Sequence, residues 1–206
     1  VLGASVLGIT LFLLAHEVYP DFPTALRYAA FNVVSVATTT GFANADFNLW
    51  PVFAPVWMLF LSCFCTCSGS TGGGIKMIRA RLMFHQALRE MTRSVHPRAL
   101  VPVKLSGQPV ENNIIFAVLA FMLMYGGTIT VSTMLLSATG LDIVTAFSAT
   151  VACINNMGPG LNQVGPATTY ASLSDFQTWV CTAVMLLGRL ELFTLIVVFT
   201  PSFWRR

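Results

Sequence analysis

Apolar stretches of two lengths alternate along this chain, and the alternation occurs twice. Residues 1–15 (VLGASVLGITLFLLA) read as an apolar helix, and His16–Pro23 is a polar break containing two prolines. Residues 25–37 are apolar but short, and TTTGFAN follows at 38–44. Residues 52–68 are strongly apolar and run into GSTGGG at 69–74. Residues 75–94 read as a basic amphipathic helix, followed by a polar, proline-bearing connection over 95–111. The cleanest span is 112–138, and a break over 139–142 leads to a short apolar segment at 143–154. NNMGPGLN follows at 155–162, then a polar loop to Asp175 and a last span over 176–200. The unit is span, break, short apolar helix, glycine-bearing loop, span, with a period of about 117 residues. Gly41 corresponds to Gly158 and Asn44 to Asn162, while Ala30-Phe31 corresponds to Ala146-Phe147 with a slip of one residue.

The short segments cannot cross a bilayer. Twelve or thirteen helical residues cover about 18–20 Å at 1.5 Å each, against a hydrocarbon core of about 30 Å. Apolar runs of that length suit re-entrant helices that dip in and return as extended chain. Such a return leaves backbone carbonyls unpaired, which is tolerated only inside protein or along a wet cavity.

Composition supports a membrane setting. Of 206 residues, 55% are hydrophobic and only 9% charged, with a mean hydropathy of +0.74; soluble domains are nearer a quarter charged. Seven basic residues lie between Lys76 and Glu111, and Arg205 and Arg206 end the chain. With both glycine-bearing loops on the other side, these cations share one face, which the positive-inside rule makes cytoplasmic. Glu17, Asp21, Asp46, Asp142 and Asp175 then face outward, either as a cation-attracting vestibule or as ordinary solvated loop charge. The opening residues lack a start methionine and a basic leader and read as a helix already under way in a longer chain.

The candidate chemistry lies in the loops. A permeating cation exchanges its hydration shell for protein oxygens, which rings of backbone carbonyls supply. Each loop follows the C-terminal, partially negative end of its short helix, the polarity that suits a cation. GSTGGGIK superficially matches a phosphate-binding loop, but Ile75 precedes Lys76, no Ser or Thr follows it, and no strand leads in. Four glycines in six residues should instead break the helix at membrane depth. Arg189 lies within the last apolar span, where a charge is costly and marks function; it is expected to face the pore and donate to freed carbonyls of the Gly69–Gly74 loop. Cys63 and Cys67 are spaced one helical turn apart, as two soft-metal ligands could be, though small buried hydrophobes are the blander reading. His16, His85 and His96 form no metal spacing. The basic helix suits anionic membrane lipid, and nothing points to nucleic acid.

TTTGF, NNMGPG, CSGSTGGGIK at 67–76 and LLGRLELF at 186–193 resemble the Trk/Ktr/HKT superfamily of potassium transporters, and in particular the C-terminal half of its bacterial TrkH-type members. The resemblance implies an all-α membrane protein built from two span, pore-helix, filter-loop, span repeats, half of a pseudo-fourfold potassium-channel-like pore. Residues 1–95 would be a third-type repeat with its glycine loop and basic helix, 96–111 a cytoplasmic linker, and 112–206 a fourth-type repeat. It further implies that filter carbonyls come from Thr38, Thr39, Thr40 and Gly41, and from Asn155, Asn156, Met157 and Gly158. The gate would comprise Gly69, Ser70, Thr71, Gly72, Gly73, Gly74 and Arg189. No cofactor is implied; K⁺ is the transported ion. The implied partners are membrane lipid, an N-terminal half with two further repeats, a second copy in a homodimer, and a cytosolic TrkA-type nucleotide-binding subunit. The implied location is the bacterial inner membrane, with a cytoplasmic C-terminus. The alternatives are a membrane scaffold whose glycine loops only pack, and a membrane-embedded enzyme drawing on Cys63, Cys67, Arg189 and Glu191.

Overall fold

Apolar length and the residues that end helices set the order of elements. The computed structural model describes residues 1–67, 69, 72–99, 101–105, 107–190, 197 and 204. Helix α1 (Leu2–Ala15) stops at His16, whose ring bonds back to the Phe12 carbonyl at 2.9 Å. Helix α2 (Phe22–Ala37) begins inside the stretch that reads as a polar break, with Pro23 in its first turn. Proline is harmless there, because a first-turn N–H has no intrahelical acceptor. Helix α3 (Phe53–Phe64) ends four residues before its apolar run does, five residues ahead of Gly69. Helix α4 (Met77–Val95) carries the basic segment. Within the polar connection a small antiparallel hairpin forms, β1 (Lys104–Leu105) against β2 (Gln108–Pro109), turning on Gly107 at φ +85°.

Helices α5 (Asn112–Ala138) and α6 (Ile143–Ile154) have the bounds read from the sequence. Among the described residues α5 is the one helix long and apolar enough to cross a membrane, about 40 Å at 1.5 Å per residue. It leaves Leu123 76% and Met134 68% exposed, as suits a helix facing lipid rather than water. Helix α7 (Asp175–Arg189) opens with a reciprocal cap between Ser174 and Gln177. Beyond Arg189 only Leu190 and Val197 of the last expected span are described, and Glu191, Arg205 and Arg206 lie outside the described residues.

Two cores hold the helices, and the first crosses between the halves, taking in Val151 and Ala152 of α6 with Met157 and Leu161. In the first, Ile9 and Leu13 of α1 meet Ala29 and Val33 of α2 and Met58 and Leu61 of α3. In the second, Phe121 and Leu136 of α5 meet Ala149 and Ile154 of α6 and Val184 of α7. The short helices bury alanines where they cross their neighbours: Ala25 and Ala29 on α2, Ala146, Ala149 and Ala152 on α6. Small side chains let helix backbones approach closely, which brings α2 against α1 and α3, and α6 against α5 and α7. A third cluster of Leu82, Val103, Ile115 and Val118 joins α4 and the hairpin segment to the start of α5, and the Arg79 guanidinium lies 4.1 Å from the Phe121 ring centroid.

Candidate functional site

The two loops leave their short helices by the same backbone path. Thr39 and Asn156 hold φ of 56° and 53°; Gly41 and Gly158 hold φ of 85° and 99°. The helix ends match as well. Thr39 N–H donates to Val36 at 3.1 Å and Thr40 N–H to Ser35 at 2.8 Å; Asn156 N–H donates to Cys153 at 3.0 Å and Met157 N–H to Ala152 at 2.9 Å. In each pair the second residue lies 117 positions after the first. A left-handed residue is ordinarily glycine or asparagine, and a threonine there is a real outlier. Strain of this kind persists where the surroundings over-determine it, which is typical of functional loops.

The loops also abut. A Cβ added at Gly41 would overlap the Met157 carbonyl oxygen and come within 3.5 Å of Pro159 Cδ. Of the eight filter candidates, Thr38, Thr40 and Gly158 are exposed, Asn155 and Met157 are buried, and Thr39, Gly41 and Asn156 lie between. The Thr38 and Thr40 hydroxyls bond to each other at 2.9 Å.

Asn155 has a job that its filter assignment does not foresee. Its side chain is fully buried. Its Oδ1 accepts from the Tyr125 hydroxyl at 2.7 Å, and its Nδ2 donates to Ser62 Oγ at 2.9 Å. Ser62 in turn donates to the Leu59 carbonyl at 2.6 Å. One amide therefore joins α3, α5 and the end of α6. Neither Tyr125 nor Ser62 carries a sequence signal beyond being a polar residue inside an apolar helix.

The glycine loop packs against this junction. A Cβ at Gly73 would overlap the Asn155 carbonyl, so the loop backbone and the helix end touch directly. A Cβ at Gly74 would lie 2.8 Å from the Cys63 carbonyl, and one at Gly72 would lie 3.2 Å from Thr39 Oγ1. Thr66 pins the loop by donating to the Gly73 carbonyl at 3.0 Å, and Ile75 N–H returns to Cys63 at 2.8 Å. Gly69 is exposed, with nothing within 4 Å of an added Cβ; Ser70 and Thr71 lie outside the described residues. Because α3 ends at Phe64, Cys63 and Cys67 are not one turn apart on a helix, as their spacing suggested. Among the described residues no group of three or more His, Cys, Asp or Glu side chains could hold a metal ion.

Arg189 is exposed at the end of α7. The residue before it fixes its place. A Cβ at Gly188 would overlap the Ile154 carbonyl and approach Asn156 Nδ2 at 3.0 Å. The Asn156 amide donates to the Met185 carbonyl at 3.2 Å. Gly188 is therefore a contact that the sequence reading passed over, although a glycine beside a charge in an apolar helix is a signal.

Polar side chains strap both loops. Asn32 on α2 donates to Asn44 Oδ1 at 2.7 Å and accepts from the Asn44 N–H at 3.3 Å. Ser148 on α6 accepts from the Leu161 N–H at 2.9 Å. Asn162 N–H donates to Asn48 Oδ1 at 3.0 Å, which links the two halves. Asp142 caps α6 through Thr145 N–H at 3.1 Å and accepts from Asn162 Nδ2 at 3.0 Å. The Thr145 hydrogen bond, assisted by Asn162, holds the Asp142 carboxyl below its ordinary range. The Tyr170 hydroxyl donates to the Gly158 carbonyl at 2.9 Å. Burial, with Cys153 and Cys181 nearby, pushes that hydroxyl's pKa well up.

The described site is thus two glycine-bearing loops at the carboxyl ends of two buried helices, with a glycine-rich backbone packed against one of those ends. Comparison with known proteins bears on the family and the overall fold. The TrkH family, described as cation transport protein, matches residues 15–206. The chain is 45% identical over 196 residues to the Trk system potassium uptake protein TrkH of Salmonella typhimurium, covering 95% of this chain and 40% of the relative. It is 33% identical to TrkG of Escherichia coli K12, covering 99% of this chain and 42% of the relative. The crystal structure of the potassium transporter TrkH from Vibrio parahaemolyticus superposes with a TM-score of 0.91 at 42% identity, covering 99% of this chain and 43% of that one. The chain therefore spans less than half the length of these relatives. By the family match over residues 15–206, this chain belongs to the TrkH family of cation transport proteins.

Proposed function

We propose that the chain supplies two of the four walls of a potassium-conducting pore in the bacterial inner membrane. The observation that carries the reading is the pairing of left-handed backbone at Thr39 and Asn156, and at Gly41 and Gly158, in loops that abut. In this reading the carbonyls of 38–41 and 155–158 replace water around K⁺. The carboxyl ends of α2 and α6 add roughly half a negative charge each toward the ion. The membrane potential drives entry, at about 2.3 kcal/mol per charge per 100 mV. Two further repeats upstream complete the ring, as the 40% coverage of the Salmonella typhimurium relative suggests.

The gate lies beneath the filter. Gly72 to Gly74 close the path from below with backbone, and Arg189 places a cation beside them. The basic face of α4 and the connection over 96–111 lie in the cytoplasm, against anionic lipid and a TrkA-type regulatory subunit, and the full protein works as a homodimer. The test is ⁸⁶Rb⁺ uptake by liposomes containing the full-length protein. Uptake suppressed by unlabelled K⁺ and spared by equal Na⁺ is expected; no uptake, or equal suppression by both ions, contradicts the reading.

A further inference from the structure

Tyr170 ties the fourth-type loop at one carbonyl oxygen. Its hydroxyl bonds to the Gly158 carbonyl at 2.9 Å, while its ring packs against the core that holds Cys153 of α6, Cys181 of α7, Val164 and Leu173. The hydroxyl therefore comes from the side of the helices that support the loop. The preceding carbonyl is committed elsewhere, since Met157 O lies where a Cβ on Gly41 would fall. Two successive carbonyls of one wall are thus held in different ways, Met157 against the neighbouring loop and Gly158 by a phenol. The first loop is tied by other chemistry, with Thr38 and Thr40 bonding to each other at 2.9 Å.

We propose that Tyr170 is a specificity-determining positioning residue, a lateral strap on the Gly158 oxygen that stops this carbonyl from closing on an ion smaller than potassium. The inference rests on the pore reading above. A smaller cation is dehydrated well only if its ligands move inward, and an oxygen already held at one lone pair by the Tyr170 phenol follows it only by stretching that bond. Whatever share of selectivity comes from cavity size or from ligand field strength, fixing the position of one ligand constrains both. The ring position also explains why the strap is a tyrosine: an apolar body fills the gap between α6 and α7, and the polar tip reaches one acceptor.

The experiment compares wild type, Tyr170→Phe and Thr168→Ala, all in the full-length protein. Thr168 bonds to the Gly165 carbonyl at 3.1 Å in the same outer loop, so its alanine variant controls for general loosening. Two readouts are taken: the K⁺-over-Na⁺ preference in ⁸⁶Rb⁺ flux, and the ratio of K⁺ to Na⁺ concentrations needed to stabilise the protein thermally. Tyr170→Phe should lose about fivefold in both, the value of one ordinary net hydrogen bond, while Thr168→Ala keeps the wild-type preference. An unchanged preference in Tyr170→Phe, or an equal loss in both variants, overturns the strap and leaves the pore reading standing. Wild-type liposomes without potassium-selective flux overturn the pore reading, and the strap with it. The thermal ratio needs no flux, so it decides the matter even where Tyr170→Phe reconstitutes poorly.

Discussion

Gly73 touches Asn155 backbone to backbone, so the glycine loop and the carboxyl end of α6 meet with no side chain between them. A Cβ at Gly73 would overlap the Asn155 carbonyl and sit within 2.6 Å of its carbon. Backbone cannot yield as a flexible side chain can, so Gly73→Ala must push the loop away from α6. With that loop as barrier, ⁸⁶Rb⁺ flux through full-length Gly73→Ala should rise several-fold. Arg189→Ala should raise it as well, by removing a fixed cation. Flux at or below wild type in both well-folded variants would show that the loop and the arginine do not form the gate.

Two glycines in apolar helices should behave in opposite ways. Gly188 packs on the Ile154 carbonyl, whereas Gly127 in α5 has nothing within 4 Å of an added Cβ. Gly127→Ala should stabilise the protein by about 0.5–1 kcal/mol, the ordinary helix preference for alanine. Gly188→Ala should displace α7 from α6, lowering both the thermal midpoint and the transport rate. Equal midpoints for the two variants would mean that the α6–α7 contact relaxes freely.

Tyr125→Phe leaves the ring in place and removes the donor to Asn155 Oδ1. The acceptor is fully buried, and a stranded buried polar group costs about 1–3 kcal/mol. A thermal midpoint several degrees lower is the expected result. Ser62→Ala should have a similar cost, and the double variant should fall short of the sum, because both act through one amide. Strict additivity would contradict a shared network.

The sequence pattern told most about elements bounded by chemistry along the chain itself. The bounds of α5 and α6 followed from apolar length and from the breaks at 139–142 and 155. Pro23 misled, because it marks a stop in mid-helix yet is at ease in a first turn. The matching of Gly41 with Gly158 was visible as two glycines, but the left-handed Thr39 and Asn156 beside them were not, since neither residue type signals a positive φ strongly enough alone. Asn155 read as a carbonyl donor; its side-chain role depends on Ser62 and Tyr125, which only folding brings near. Tyr170 and Gly188 escaped for the same reason: each acts through one long-range contact with a loop backbone.

Asp142 gives the straps of the second loop a pH dependence. Its carboxyl is held below its unfolded range by Thr145 and Asn162. A depressed carboxylate stabilises above its unfolded pKa, near 4, and that contribution is lost as pH falls through the folded value. Hydrogen exchange of residues 155–165 should therefore be constant from neutral pH to about 5, after correction for intrinsic rates, and should quicken below the unfolded pKa. Asp142→Asn should lose that acid step. An unchanged step in the variant would assign it to another carboxyl.

The central claim is that Gly41 and Gly158 shape two walls of one filter, and a comparison of serine variants tests it most directly. Both glycines hold a positive φ, which a residue with a Cβ adopts at a cost of about 1–2 kcal/mol. Gly41 carries a second constraint, because its Cβ would overlap the Met157 carbonyl, whereas the nearest atom to a Cβ at Gly158 is Gly41 Cα at 3.9 Å. In full-length protein the K⁺-over-Na⁺ preference in ⁸⁶Rb⁺ flux should therefore fall in both variants, and further in Gly41→Ser than in Gly158→Ser. Wild-type preference retained in both variants, with normal folding and flux, would contradict the account.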